Sequence, residues 1–303
     1  MKQQVLSILI ALGILVSFVA PVEANQNDVN MQMTIGEIEN IVIEYFNEQG
    51  IVYKPGSQET LDSFYNLLMN DGNKSIKENK YYHEIEAFAA EYIYRETTDL
   101  QSESIAEIRD MTLNDIRNEI IKEEKVNKDL IRNSTDMVTM SYSYSPSLAS
   151  SYAQNWAKSF NPTYNKYSSD CTNFVSQAIH HGGLPFGNTG ATSNIFWHSK
   201  IINGKREDSR AWLVAHDFRT YWSVKGRSQT RYTTKSAVNS NATVGDVLSY
   251  QYKSTGRVWH SVFVSKKISG NIYICQHTGA RLNDLWNNVS FDINNSYVWV
   301  TKF

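Results

Sequence analysis

Apolar side chains recur at three- and four-residue steps through the first half of the chain. Ile35, Ile38, Ile41, Val42, Tyr45 and Phe46 form one stripe ending near Gly50; Leu61, Phe64, Tyr65 and Leu68 form a second; Ile85, Phe88, Ala89, Tyr92 and Ile93 form a third. A charged segment from Ser104 to Leu130 keeps Ile105, Ile108, Ile116, Ile120 and Ile121 among its Glu and Lys residues. Such spacing puts the apolar groups on one helical face, so this region reads as amphipathic helices with solvated outer faces. The second half changes character. Leu148, Tyr152, Trp156 and Phe160 step by four within a helix from Ser147 to Phe160 that stops at Asn161-Pro162. Ser168-Ser169-Asp170 then offers cap groups for a second helix running from Cys171 through Phe174, Val175, Ala178 and Ile179 and ending at Gly182-Gly183. After a long polar and aromatic stretch, the segments Val247 to Tyr250, His260 to Ser265, Ile272 to His277 and Tyr297 to Val300 read as strands, with Ser269-Gly270-Asn271 as a hairpin turn. Helices followed by an antiparallel sheet make the fold class α+β.

The first residues stand apart from this pattern. Lys2 precedes an apolar run from Val5 to Ala20, followed by Pro21 and Val22-Glu23-Ala24. A basic start, an apolar middle and a small-residue exit form a secretory signal segment, expected to be cleaved after Ala24; retention as an N-terminal anchor is the alternative. The expected organisation is residues 1–24 as signal peptide, 25–140 as the helical region, 141–146 as linker and 147–303 as the second domain, with no stable membrane anchor after cleavage and a secreted, extracellular location. With 303 residues, of which 41% are hydrophobic and only 20 are Gly or Pro, the chain is long enough for a real core and is neither collagen-like nor wholly disordered.

Charge divides the chain. Residues 25–140 hold 23 acidic and 11 basic groups, a net of −12, whereas 141–303 hold 7 acidic and 17 basic, a net of +10. All seven Trp, both Cys and six of the seven His lie in the second half. The opposite signs allow the acidic region to dock on the basic one, in which case contact between exposed charges weakens with salt; an independent helical spacer is the other reading. His83 stands alone in the acidic half and is taken as a surface or packing residue.

The second half carries the chemistry. A thiol is a useful nucleophile as thiolate, and the positive end of a helix favours that anion, which is where Cys171 sits. His260, on a strand that puts its side chain with Val262 and Val264, is the candidate general base. His277, or Gln276 beside it, is the candidate that fixes the imidazole tautomer. Asp170 is a helix cap, a contact for a substrate amine, or both, and Gln276 is a second substrate-binding candidate. A Cys171–Cys275 disulfide is the compartment's default alternative. His180 and His181 fall at a helix end. No CxxC or HExxH spacing occurs, so neither a metal nor another cofactor is expected.

The blocks Asp170-Cys171-Thr172-Asn173-Phe174-Val175-Ser176-Gln177, Gly182-Gly183, Gly245-Asp246-Val247, His260-Ser-Val-Phe-Val and Gln276-His277-Thr278 resemble the putative amidase domain of secreted Gram-positive proteins, itself similar to papain-like CHAP amidases and NlpC-type cell-wall endopeptidases. The resemblance spans about Ser147 to Phe303. It implies a papain-like cysteine hydrolase of amide bonds with Cys171 as nucleophile and His260 as base, and it leaves the third residue open between His277 and Gln276. It also implies that an N-terminal segment can hold such an enzyme inactive. The expected partner is a cell-wall peptide or glycopeptide, gathered by a cationic, aromatic-rich surface; no reader motif points to nucleic acid. The alternative is a catalytically silent wall-binding module on the same fold.

Overall fold

The helices of the first half are opened by local chemistry. The computed structural model describes residues 29–69, 74–96, 103–134, 143–187 and 194–303. In α1 (Ile35–Glu48) the Thr34 hydroxyl accepts from the Glu37 N–H while the Glu37 carboxylate accepts from the Thr34 N–H, a reciprocal cap that satisfies two otherwise orphaned donors. Helices α2 (Gln58–Met69), α3 (Lys74–Lys77) and α4 (Tyr82–Glu96) follow. The charged segment is divided into a 3-10 turn at Ile105–Ile108 and α5 (Leu113–Asn133), because Thr112 and Asp115 form a fresh capping box. The signal-like segment lies outside the described residues; among those described, no helix is long and apolar enough to cross a membrane.

The second half begins with α6 (Pro146–Trp156) and α7 (Cys171–His181). A small hairpin of β1 (Ser199–Ile202) and β2 (Lys205–Asp208), the helices α8 (Arg210–Leu213) and α9 (Ala215–Val224), β3 (Gln229–Tyr232) and α10 (Lys235–Asn241) come next. The chain ends in β4 (Val247–Tyr252), β5 (Val258–Ile268), β6 (Asn271–Gln276), β7 (Arg281–Leu285) and β8 (Ser296–Thr301). Six strands form one antiparallel sheet in the order β3-β8-β4-β5-β6-β7. The β5–β6 turn pairs Ile268 with Asn271 around Ser269 and Gly270, both at positive φ, as a two-residue hairpin requires. The chain is therefore α+β with a helical N-terminal region.

Both faces of this sheet are covered. Leu248, Tyr250, Val262, Val264, Ile272 and Ile274 share one apolar core with α1, α2, α4 and α5, while Val247, Phe263 and Cys275 join α6, α7, α8 and α9 in another. Alternate residues of a strand point to opposite faces, so every residue of β4 is buried. Residues 143–145 pack as well: Ser145 caps α6, and Tyr144 lies so close to Gly182 that a Cβ there would sit 2.4 Å from its ring.

Opposite charge does join the halves, but inside the protein. Arg257, 0% exposed, donates from Nε and Nη2 to Glu91 of α4 at 2.8 and 3.0 Å and lies 3.4 Å from the Tyr94 ring centroid. Glu91 also holds Arg95 at 2.7 Å, and Glu124 of α5 pairs with Arg219 of α9. Buried pairs are screened far less than exposed ones, so this docking does not carry the salt sensitivity expected of surface charges. Burial works to raise the Glu91 carboxyl, yet Arg257 and Arg95 hold it below the ordinary value of 4.5. A group with a depressed folded pKa contributes stability above its unfolded pKa and loses it as pH falls through the folded one. Glu91→Gln should therefore cost about 3 to 5 kcal/mol at neutral pH by leaving buried guanidinium charge uncompensated, and the deficit relative to wild type should shrink as pH drops from about 4.5. Chemical denaturation at pH 7 and at a series of acidic pH values checks both; a variant as stable as wild type at pH 7 would show that the pair does not hold the halves together.

Candidate active site

Cys171 opens α7, and the helix starts there because of what its neighbours do with Asp170. Asp170 occupies the cap position, but its carboxylate accepts from no backbone N–H of the first turn. Instead Oδ1 accepts from Asn173 Nδ2 at 2.8 Å and the Tyr167 N–H at 3.1 Å, and Oδ2 meets His277 Nδ1 at 2.5 Å. The first-turn N–H groups beside Cys171 are thus left without a side-chain cap, and their dipole favours an anion there.

His260 stands near the start of β5, where a bulge opposite Tyr250 and Gln251 interrupts the ladder with β4. Burial alone would push the Cys171 thiol up; the charge and hydrogen-bonding reach of His260 outweigh it, helped by the Ser261 backbone and the Thr172 hydroxyl, and bring it from an ordinary 9 down to about 7. Thr172 Oγ1 lies 3.6 Å from Sγ and 3.4 Å from Ser261 Oγ. Neither ring nitrogen of His260 has a hydrogen-bond partner among the described residues. Cys171 and His260 are therefore a neighbouring thiol–imidazole pair, with no hydrogen bond between them in this arrangement.

The structure does not bring His277 to that imidazole. Both ring nitrogens of His277 are engaged elsewhere, Nδ1 with Asp170 and Nε2 with the Trp156 carbonyl at 2.8 Å, and the ring stacks on Phe174 with centroids 4.2 Å apart. His277 ties the start of α7 to the end of α6, which corrects its expected place beside His260. Gln276 is nearer to that task. It lies one residue past the Phe263–Cys275 pair, on the face that Ile274 shares with Val262, Val264 and His260. Its Nε2 donates to the Thr278 and Gly279 carbonyls at 3.0 and 3.2 Å, while its buried Oε1 has no partner among the described residues. Asp170 and Gln276 are both buried, and Asp170 alone of the two lines a cleft of about 440 Å³ together with Gln58, Asp62, Tyr167 and Thr278.

Both cysteines are free thiols, which removes the disulfide reading. Cys275 is buried, and burial raises its thiol. His180 stacks on Phe186 and His181 on Tyr152. His216 is held down to about 3, chiefly by burial, then by Arg257. His83 bonds Asn295 at 2.6 Å at the junction of the halves.

Tyr65 of α2 is the site residue that sequence reasoning missed. Its hydroxyl bonds Ser169 and lies 3.8 Å from Cys171 Sγ, its ring centroid is 5.9 Å from that of His260, and it covers a thiol that is 2% exposed. Burial first, then Cys171, pushes the Tyr65 hydroxyl well above the tyrosine range, so it remains an O–H. No signal marked it, because Leu61, Phe64, Tyr65 and Leu68 form an ordinary core stripe.

Residues 143–300, just over half of the chain, match the family described as a putative amidase domain. The chain belongs to that family. The putative amidase domain holds the thiol–imidazole pair, whereas Tyr65 comes from outside the matched stretch. The uncharacterized protein YhbB of Bacillus subtilis (strain 168) is 31% identical over 121 residues, 40% of this chain and 37% of its own length. The uncharacterized protein YjcM of the same strain is 30% identical over 148 residues, 46% of this chain and 32% of its own. The chain thus spans about a third of the length of these relatives. No solved structure matches it. Membership of the putative amidase domain family suggests amide hydrolysis.

A thiol near 7 has a definite signature. Alkylation of Cys171 by iodoacetamide, followed by mass spectrometry, should rise with pH through a midpoint near 7, because the reactive thiolate forms as pH climbs through that value. In His260→Ala burial, the largest influence, loses its main opponent, so the midpoint should move upward. An unchanged midpoint in that variant would detach the thiol from His260.

Proposed function

We infer that this protein is a secreted, cysteine-dependent amide hydrolase with a papain-like catalytic arrangement, acting on cell-wall peptide or a related amide. The observation that carries this reading is the lowered thiol of Cys171 at the uncapped start of α7 beside His260. Family membership supports the reaction class, the opening apolar segment supports secretion, and the net +10 of the second half supports an anionic wall environment.

The reaction follows from these groups. The Cys171 thiolate attacks the amide carbonyl carbon, and the developing oxyanion is stabilised by first-turn N–H groups of α7. Imidazolium at His260 gives its proton to the leaving amine as the C–N bond breaks, leaving a thioester on Cys171. Water, deprotonated by His260, then attacks the thioester carbon, releasing the carboxylic acid and restoring the thiol. Gln276, whose Oε1 has no partner among the described residues, is the side chain on offer to the far nitrogen of His260 to keep its tautomer; the Asp170–His277 contact holds the helix start in place.

Tyr65 must leave the thiol for this to happen, so the described arrangement is a closed state in which the helical region covers the site. The same burial is what favours the silent wall-binding reading, and the two are separated by activity on purified wall fragments, scored by newly exposed amines and carboxylates. Cys171→Ser and His260→Ala should each reduce turnover by about 10³-fold or more. Gln276→Ala should lower kcat by less and shift its pH profile, while His277→Ala should act mainly on thermal stability. Full activity in Cys171→Ser, or no hydrolysis by wild type once the site is opened, would leave the binding module standing.

Opening is testable by itself. Tyr65→Ala should accelerate alkylation of Cys171 at pH 7 on the order of tenfold, the effect of reducing a local opening cost by about 1.4 kcal/mol. Tyr65→Phe, which keeps the ring over the thiol, should change it little. Equal rates in wild type and Tyr65→Ala would mean that α2 does not gate the thiol.

A further inference from the structure

A second cleft, of about 530 Å³, lies between α5 and the sheet and contains none of the candidate catalytic residues. Arg117, Lys125, Lys128 and Arg132 line it from α5. Arg219 of α9, Arg231 of β3 and Lys253 after β4 line the other wall. Against these seven cations the lining holds two carboxylates, Glu124 and Asp129, and both are already paired: Glu124 with Arg219 and with Lys128 at 2.7 Å, Asp129 with Arg132 at 3.6 Å. The surplus is five positive charges.

Two further observations point to a ligand. Arg219 is only 5% exposed, yet its Nε–H has no hydrogen-bond partner among the described residues, and the buried Ser254 hydroxyl in the same cleft has none among them either. Both can donate to an oxyanion, and an unpaired buried donor costs free energy that such a ligand would recover. The aromatic residues set the cations rather than compete with them. The Arg231 guanidinium lies 4.0 Å from the Tyr297 ring centroid and 5.7 Å from that of Trp299, Arg219 lies 4.8 Å from Trp299, and Lys253 lies 5.1 Å from Tyr297. Cation–π contact orders these groups before any ligand arrives. With a cation over each ring, Tyr297 and Trp299 give the cleft guanidinium forks rather than bare platforms on which nucleic-acid bases stack.

We propose that this cleft binds a repeating phosphodiester chain on a flexible, non-aromatic backbone, of the polyol-phosphate type. Several phosphates engage cations from both walls, and one oxyanion reaches the Arg219 Nε–H and the Ser254 hydroxyl. The site is independent of whether Cys171 hydrolyses anything.

The test uses the full chain and a synthetic glycerol-phosphate hexamer, with binding read by calorimetry at low and at physiological salt. The hexamer should bind wild type, and its affinity should fall as salt rises, since released counterions contribute to binding of this kind. The triple reversal R117E/K125E/R231E, which leaves the buried Arg219–Glu124 pair intact, should weaken binding at least about tenfold with an unchanged unfolding midpoint. If the reversal perturbs folding, the neutralised pair R117Q/K125Q should still weaken binding and reduce its salt dependence. Hexathymidylate, hexaglutamate and inorganic phosphate serve as comparisons. No binding of the glycerol-phosphate chain at low salt, equal binding by wild type and the charge variants, or tighter binding of hexathymidylate, hexaglutamate or free phosphate would each overturn the proposal.

Discussion

The arrangement depends on the buried contact between Arg257 and Glu91. A guanidinium at 0% exposure is tolerable only with its charge answered and its N–H groups bonded, and here the answer comes from a helix more than 160 positions earlier in the chain. Arg257 precedes the first residue of β5, and His260 follows within that strand. The same contact that fastens α4 to the sheet therefore sets where the candidate base begins its strand. Tyr94, packed on Arg257 and bonded to Glu123 at 2.7 Å, extends the join to α5.

The site shows two opposed tendencies. Proximity to His260 draws the thiol toward its reactive anion, while burial beneath Tyr65 both opposes that charge and removes space for a substrate. The imidazole effect prevails on the thiol, bringing it down to about 7, and the cover prevails on access. Electrostatic preparation and steric closure thus come from different parts of the chain: the first from α7 and β5, the second from α2.

What the sequence revealed follows from where each residue's constraints lie. The helix that Cys171 starts and the strand that carries His260 were readable because helical spacing and two-residue alternation are local. The hairpin at Ser269-Gly270 was readable because its backbone demands such residues. By contrast, α9 was hidden: Ala215 to Trp222 are all buried, and its His216, Asp217 and Arg219 meet partners inside the protein, so no polar face repeats along it. The edge strands β3 and β7 were hidden for the opposite reason, being short and largely polar. The roles of His277 and Tyr65 were set by contacts more than 100 residues away, with Asp170 and Ser169 respectively. Side-chain type cannot rank such contacts, which is why His277 stands ahead of Gln276 as the imidazole's partner in the sequence, while the structure engages it elsewhere.

The sheet closed on both faces bears on how this chain comes to exist on emergence from a ribosome. The helices that cover one face are synthesised first, and they hold Glu91 and a bare apolar surface before any strand of the sheet is available. The strands arrive last, bringing Arg257 to a partner already made. The stretch that matches the family, produced without its predecessor, would present Leu248, Tyr250, Val262 and Val264 to water together with an unanswered guanidinium, a surface prone to self-association rather than a smaller version of the same protein.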